Sequence, residues 1–136
     1  MIHQTEFAIH SPGQGFHLVT SEVLRHLPSL PQAGLLNLFI QHTSAALAIN
    51  ENADRAVRVD LQQIFNYLVR ENEPYYTHTL EGADDMPAHA KSILVGASLN
   101  IPVTHGRLNM GTWQGIYLCE FRRHAQVRNL VATVIG

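Results

Sequence analysis

The twelve residues from His78 to His89, H-T-L-E-G-A-D-D-M-P-A-H, place three carboxylates between two histidines. Imidazole and carboxylate are ligands that zinc favours, and a catalytic zinc site commonly uses three protein ligands and leaves one position open. The chain carries nine histidines. Three of them, His42, His78 and His89, sit in the polar motifs Q-H-T-S-A, H-T-L-E-G and P-A-H and are the candidate metal ligands. The spacing from His78 to His89 is not the i, i+4 pair of the helical metalloprotease motif, so ordinary core or surface histidines stay open as the other reading.

The acids between them divide between capping and chemistry. An aspartate before M-P suits a helix N-cap, and a second acid in the first turn is favoured by the helix dipole, so one of Asp84 and Asp85 is expected to be structural. Glu81 and the other aspartate, taken as Asp84, are candidates for a general base, a metal ligand or a partner that orients a histidine ring. His89 would then lie one turn inside the helix, near backbone N–H groups that can also hold an anion.

Other segments offer polar partners. Thr43 and Ser44 supply hydroxyls suited to holding phosphate; Ser44 lacks the G-x-S-x-G context of a serine nucleophile. Asn52 is either a ligand contact or, with Asp54, a candidate cap of the following helix. In G-R-L-N-M-G-T-W-Q-G, Arg107 is a candidate anion clamp, while Trp113 and Gln114 would form the wall and polar edge of a small-molecule pocket. A tryptophan in this setting is more often a core residue. Glu120 is either at a solvated strand end or the partner of a basic residue. Cys119, the single cysteine, lies in the apolar run G-I-Y-L-C-E-F and reads as a small buried hydrophobe.

Positioning these groups requires a frame. Residues 2–10 alternate loosely and read as an opening strand, with S-P-G-Q-G as a turn. T-S-E-V-L-R-H-L-P predicts a short helix with Thr20 or Ser21 as cap and Pro28 as stop. The run G-L-L-N-L-F-I-Q-H-T-S-A-A-L-A-I-N, broken near residues 42–44, predicts two core strands or one bent strand. Between Ala53 and Glu71, Val57, Leu61, Ile64, Phe65 and Leu68 recur at helical spacing, with Asp60 flanking that face and expected to be partly buried. A second helix is expected from Asp85 or Met86 to about Ser98, and four strands after it, in L-N-I-P-V-T, G-R-L-N-M-G-T-W, G-I-Y-L-C-E-F-R and N-L-V-A-T-V-I. Together these give an α+β fold with a mixed or antiparallel sheet packed on two main helices. No repeat or low-complexity segment interrupts it.

Composition bounds the partners. A chain of 136 residues fits one domain, which buries roughly two-thirds of its unfolded surface. The balance of 46% hydrophobic to 15% charged residues favours an oligomer over a lone monomer. With a net charge of -2, and only Arg122, Arg123 and Arg128 as a local basic cluster, nucleic acid is not an expected partner. No basic n-region opens the chain and no stretch approaches the ~20 apolar residues a membrane span needs, so a cytoplasmic protein is the default.

Several long motifs, in order, carry a resemblance: F-H-L-V-T, Q-H-T-S-A-A-L-A-I-N-E-N-A-D, V-R-V-D-L, E-G-A-D-D-M-P-A-H-A-K-S-I-L-V-G-A-S, I-P-V, G-R-L and G-T-W-Q-G-I-Y-L-C-E. Over nearly the whole chain the sequence resembles the YjbQ-like family, often labelled secondary thiamine-phosphate synthase. The resemblance implies a compact α+β homotrimer whose clustered histidines, carried over as His42, His78 and His89, line a pocket for a metal or an anion. The label implies joining hydroxymethylpyrimidine pyrophosphate to thiazole phosphate with release of pyrophosphate.

The residues can be weighed against that chemistry. A leaving pyrophosphate needs its charge neutralised by a divalent metal, an arginine or a helix N-terminus. Magnesium, the usual pyrophosphate partner, prefers oxygen ligands, whereas a three-histidine site suits zinc. Three functions follow as expectations: a transferase on phosphorylated thiamine precursors; a metal-dependent hydrolase of a small phosphorylated metabolite with Glu81 or Asp84 as base; and a non-catalytic trimer that binds a metal or ligand.

Overall fold

The computed structural model describes residues 1–136. Three layers are stacked: a five-stranded sheet, a three-stranded sheet and a helical layer. The larger sheet has the order β1 (Ile2–Ser11), β8 (Gln126–Ile135), β3 (Ala33–Ile40), β5 (Ser98–Thr104), β6 (Arg107–Leu108), and the smaller one has β2 (Gly15–Leu18), β7 (Gln114–Glu120), β4 (Ala45–Glu51). Every pairing is antiparallel. The helices are α1 (Thr20–His26), α2 (Arg55–Leu68) and α3 (Asp85–Val95). The fold is α+β as expected, with two antiparallel sheets. None of the helices is long and apolar enough to cross a membrane.

The period-2 alternation of the strands explains the layering. Phe7, Ile9, Leu36, Leu38, Ile40, Leu130, Ala132 and Val134 of the larger sheet face Ala45, Leu47, Ile116 and Leu118 of the smaller one across a common core. The central strand β7 is buried on both faces. Its alternate residues Tyr117 and Cys119, followed by Phe121, join Phe16, Ala46 and Ala88 in a second core, against which Leu61 and Phe65 of α2 pack. This is why G-I-Y-L-C-E-F reads as a continuous apolar run. Cys119 lies fully inside, its thiol pushed up to about 12 by burial, consistent with an inert packing residue.

Several local expectations change in the structure. The run after Gly34 forms two strands that belong to different sheets, and the break at residues 41–44 is the crossing between them. β2, which the alternation did not reveal, follows directly after the predicted turn. Neither Thr20 nor Ser21 caps α1; the Thr20 hydroxyl instead accepts from the Ile116 N–H at 2.9 Å. Asp54, and not Asn52, caps α2 through the Ala56 N–H. The packed side of α2 is rotated from the apolar stripe, leaving Ile64, Leu68 and Asp60 exposed, because the helix lies at the edge of the second core. α3 stops at Val95, since Gly96 (φ 113°) takes a backbone conformation that favours glycine and turns the chain into β5. Of G-R-L-N-M-G-T-W only two residues pair as a strand.

The core assignment makes a direct prediction. Leu38→Ala, at a site with no solvent exposure, should lower unfolding free energy by about 3 kcal/mol in denaturant titrations at fixed protein concentration. Leu80→Ala, at a residue 97% exposed, should stay within about 0.5 kcal/mol of wild type. Equal effects would contradict the layering.

Candidate metal centre

The site lies where the loop before α3, the first turn of α3, the β3–β4 crossing and the β7–β8 connection meet. Asp85 and His89 stand four residues apart on α3, so both project from one face. His78 arrives from the preceding loop. Oδ2 of Asp85 lies 2.6 Å from Nε2 of His78 and 3.1 Å from Nε2 of His89. The three potential ligand atoms are within 4.8 Å of one another. Asp85 is buried, while the two rings keep an open side, with 44% of the His78 side chain and 30% of the His89 side chain exposed.

Proton accounting gives this arrangement its chemical meaning. Nδ1 of His89 lies 2.9 Å from the carbonyl oxygen of Thr43, which can only accept, so that nitrogen carries a proton. In a neutral ring Nε2 then presents a lone pair, and it faces a carboxylate oxygen. A contact of 3.1 Å between them is satisfied by a proton shared by ring and carboxyl, or by a bound cation in its place. Two imidazole nitrogens and one carboxylate oxygen, with a carbonyl fixing one ring, match a divalent metal site of the histidine-carboxylate type.

Asp85 is held from its other side by Arg122. Its Nη1 donates to Asp85 Oδ1 at 2.6 Å, its Nε to Asp84 Oδ2 at 3.0 Å and its Nη2 to the Glu81 carbonyl at 2.9 Å. Burial alone would raise the Asp85 carboxyl; the hydrogen bond from His78 and the charges of His89 and Arg122 outweigh it and hold the group below the ordinary carboxylate range. Gly82 permits the tight approach of the loop: its φ is 111°, and a Cβ there would sit 3.0 Å from Asp84 Oδ1.

The candidate residues therefore separate. His78 and His89 come together, but their third partner is Asp85. His42 lies outside that group: its Nε2 accepts the Asn129 backbone N–H at 2.8 Å, so its lone pair there is used and its proton sits on Nδ1. Burial, then the nearby charge of Arg128, lowers its pKa, against a smaller opposing effect of Glu120. Asp84 occupies the N-cap position of α3, yet its side chain makes no cap bond; it accepts from Arg122 and from the Arg123 N–H. Thr43 contributes its carbonyl, and Glu81 its carbonyl with an exposed side chain. Arg107 borders a separate depression with Thr104, His105 and Asn109 at the β5–β6 turn. Asn52 donates to the carbonyls of Thr112 and Gln114, both at 3.1 Å, and together with Gln114 borders another hollow beside α1. Trp113 is 66% exposed and belongs to neither core.

Behind the cluster runs a buried ion pair. Arg128 and Glu120 are 2% and 0% exposed; Arg128 Nε donates to Glu120 Oε1 at 2.8 Å, and its Nη2 donates to the Ser44 hydroxyl at 2.9 Å and the Ser44 carbonyl at 3.2 Å. The Arg122 N–H donates to Glu120 Oε2 at 3.1 Å. Ser44 is thus a bracing residue and not a free phosphate donor. The sequence leaves open which of Asp84 and Asp85 does chemistry, and the i, i+4 spacing of Asp85 and His89 was the signal available to choose; Arg122 reads there only as part of a basic cluster, with nothing to mark its contact with Asp85.

Burial would raise the Glu120 carboxyl, but hydrogen bonds from Arg128, Ser11 and the Arg122 backbone hold it below its ordinary value. Its stabilisation is therefore complete above the unfolded glutamate value near about 4.3 and fades as pH falls through the lower folded value. Glu120→Gln, which leaves Arg128 buried without its counter-charge, should cost about 3 kcal/mol at pH 7. In urea titrations the deficit should shrink toward acid pH; a deficit independent of pH would contradict the pairing.

Comparison with known proteins follows the same lines. Residues 5–136 match the family described as UPF0047 protein YjbQ-like. The UPF0047 protein YjbQ of Escherichia coli O157:H7 is 47% identical, with 100% of this chain and 99% of that protein covered. The UPF0047 protein sll1880 of Synechocystis is 42% identical over 98% of this chain and 92% of its own. A conserved hypothetical protein from Thermus thermophilus superposes with a TM-score of 0.82 at 35% identity, covering 93% of this chain and 96% of that one. A protein of unknown function from Sulfolobus solfataricus shares the fold, with a TM-score of 0.85 at 22% identity over 100% and 98% of the two chains. On these grounds the chain belongs to the UPF0047 YjbQ-like family.

Proposed function

We propose that His78, Asp85 and His89 hold a divalent transition metal, and that the protein uses this centre as a metal-assisted transferase on a small phosphorylated metabolite. The observation that carries it is the opposition of His89 Nε2 and Asp85 Oδ2 while His89 Nδ1 is committed to the Thr43 carbonyl. Nitrogen-rich donors favour zinc over magnesium. Such a metal supplies positive charge to a departing phosphate oxygen.

The chain's own residues divide the remaining work. Arg122 fixes Asp85 and is spent doing so, so it orients the cluster and does not clamp substrate. His78 borders a hollow of about 350 Å³ with Tyr76, Thr79, Gly82 and Met86 in its wall, large enough for a heteroaromatic ring beside the metal. We take as substrates the thiamine precursors that the family label implies: attack by the thiazole nitrogen on the pyrimidine methylene carbon forms the new C–N bond as the C–O bond to pyrophosphate breaks. For the hydrolase reading Asp84 already accepts from Arg122 and Arg123, which leaves the exposed Glu81 carboxylate as its candidate base. A homotrimer is part of the same proposal.

Elemental analysis of protein purified without chelator should find about one zinc or similar metal per chain. His78→Ala, Asp85→Asn and His89→Ala, each folded, should lose it, and His42→Ala should retain it. Wild type that neither carries nor takes up metal would overturn the centre. Chelation should abolish thiamine phosphate formation, and no phosphate-containing product should arise from hydroxymethylpyrimidine pyrophosphate alone; release of pyrophosphate without the thiazole partner would favour a hydrolase. Light scattering should give three times the chain mass, and a monomer mass would remove the trimer.

A further inference from the structure

The first turns of α2 face β2 across a hollow of about 460 Å³ that shares no residue with the histidine-aspartate cluster. Arg55 and Arg58, one helical turn apart, line it together with Gln14, Phe16, His17 and Val59, and no carboxylate lies in its wall. Arg122, Arg123 and Arg128 are ion-paired, but Arg55 and Arg58 are not. Nη1 of Arg58 is buried and has no hydrogen-bond partner. Glu51 and Asp54, just before the helix, are committed to the N–H groups of Ala53, Asp54 and Ala56, and Asp60, two residues after Arg58, is exposed and lies outside the wall of the hollow. The polar floor is fixed, since Gln62 and Asn66 both donate to the Gln14 side-chain oxygen at 3.1 Å.

Two guanidinium groups on one turn, with no carboxylate between them, repel each other. An oxyanion in the hollow relieves that repulsion, because a phosphate can accept from two guanidinium forks. We infer that this hollow is a second anion-binding site, one that takes the phosphate or pyrophosphate group of a small metabolite between Arg55 and Arg58. Leu18 and Val59, in the same wall, provide apolar contact for the body of the ligand. The site is independent of the metal centre and stands whether or not that centre binds metal.

The test uses inorganic pyrophosphate as probe and full-length protein freed of metal, in buffer without divalent cations. Isothermal titration should give binding that weakens with salt and is absent for acetate at the same ionic strength. Arg58→Gln should weaken pyrophosphate binding at least tenfold, and Val59→Glu, which sets a carboxylate in the wall at a position 50% exposed, should do the same. The second variant keeps the test decisive if the first is misfolded by circular dichroism. The double variant His78→Ala/His89→Ala should bind as wild type does. Unchanged affinity in folded Val59→Glu, no binding by wild type at millimolar pyrophosphate, or loss confined to the histidine double variant would each overturn the site.

Discussion

Glu120 and Arg128 form an ion pair inside the sandwich, and the geometry of the candidate centre hangs on it. Glu120 closes β7 and Arg128 lies early in β8, so the pair ties the small sheet to the large one. From there two arms reach the site. Arg128 holds Ser44, whose neighbour Thr43 fixes the His89 ring, and Glu120 holds the backbone of Arg122, whose guanidinium fixes Asp85. A buried pair of this kind contributes little net stability against an apolar replacement but makes loss of either partner expensive. Its value here is positional: two loops from different sheets meet in one register.

Much of this was legible before the structure. The helical period of α2, the start of α3 at Asp85, the strand character of β1, β3, β4, β5, β7 and β8, and the pairing of His78 with His89 follow from pattern and residue type. What was not legible has physical causes. Asp84 and Asp85 match cap chemistry so well that local propensity hides their use; the donors that claim them, on Arg122 and Arg123, lie 37 or more residues away. His42 shares the polar setting of the other histidines, and only the β3–β8 register shows that a backbone N–H takes its lone pair. The apolar stripe of α2 predicts a buried face, yet tertiary placement at a sheet edge decides how much of it is covered.

The motifs around the cluster have distinct duties. Three of the long polar motifs of the sequence lie at the α3 entry, in the segment from the β3–β4 crossing to the start of α2, and in β7. The last two hold residues that position others: Ser44 braces, Glu120 links, and Asn52 and Gln114 fix the segment before β7. Residues facing outward from the cluster are few, chiefly the His78 and His89 rings. The cluster is small and open on one side, and its loops are anchored to strands of both sheets.

The most direct test is nitrogen-detected NMR of the histidine side chains, with assignments from single variants, recorded before and after addition of one equivalent of zinc. The account predicts that His89 carries its proton on Nδ1 in both states and that Nε2 of His78 and His89 takes metal-bound shifts on zinc addition. It also predicts that His42 stays an Nδ1–H tautomer throughout. Zinc shifts on His42, or none on His78 and His89, would contradict the centre drawn around Asp85.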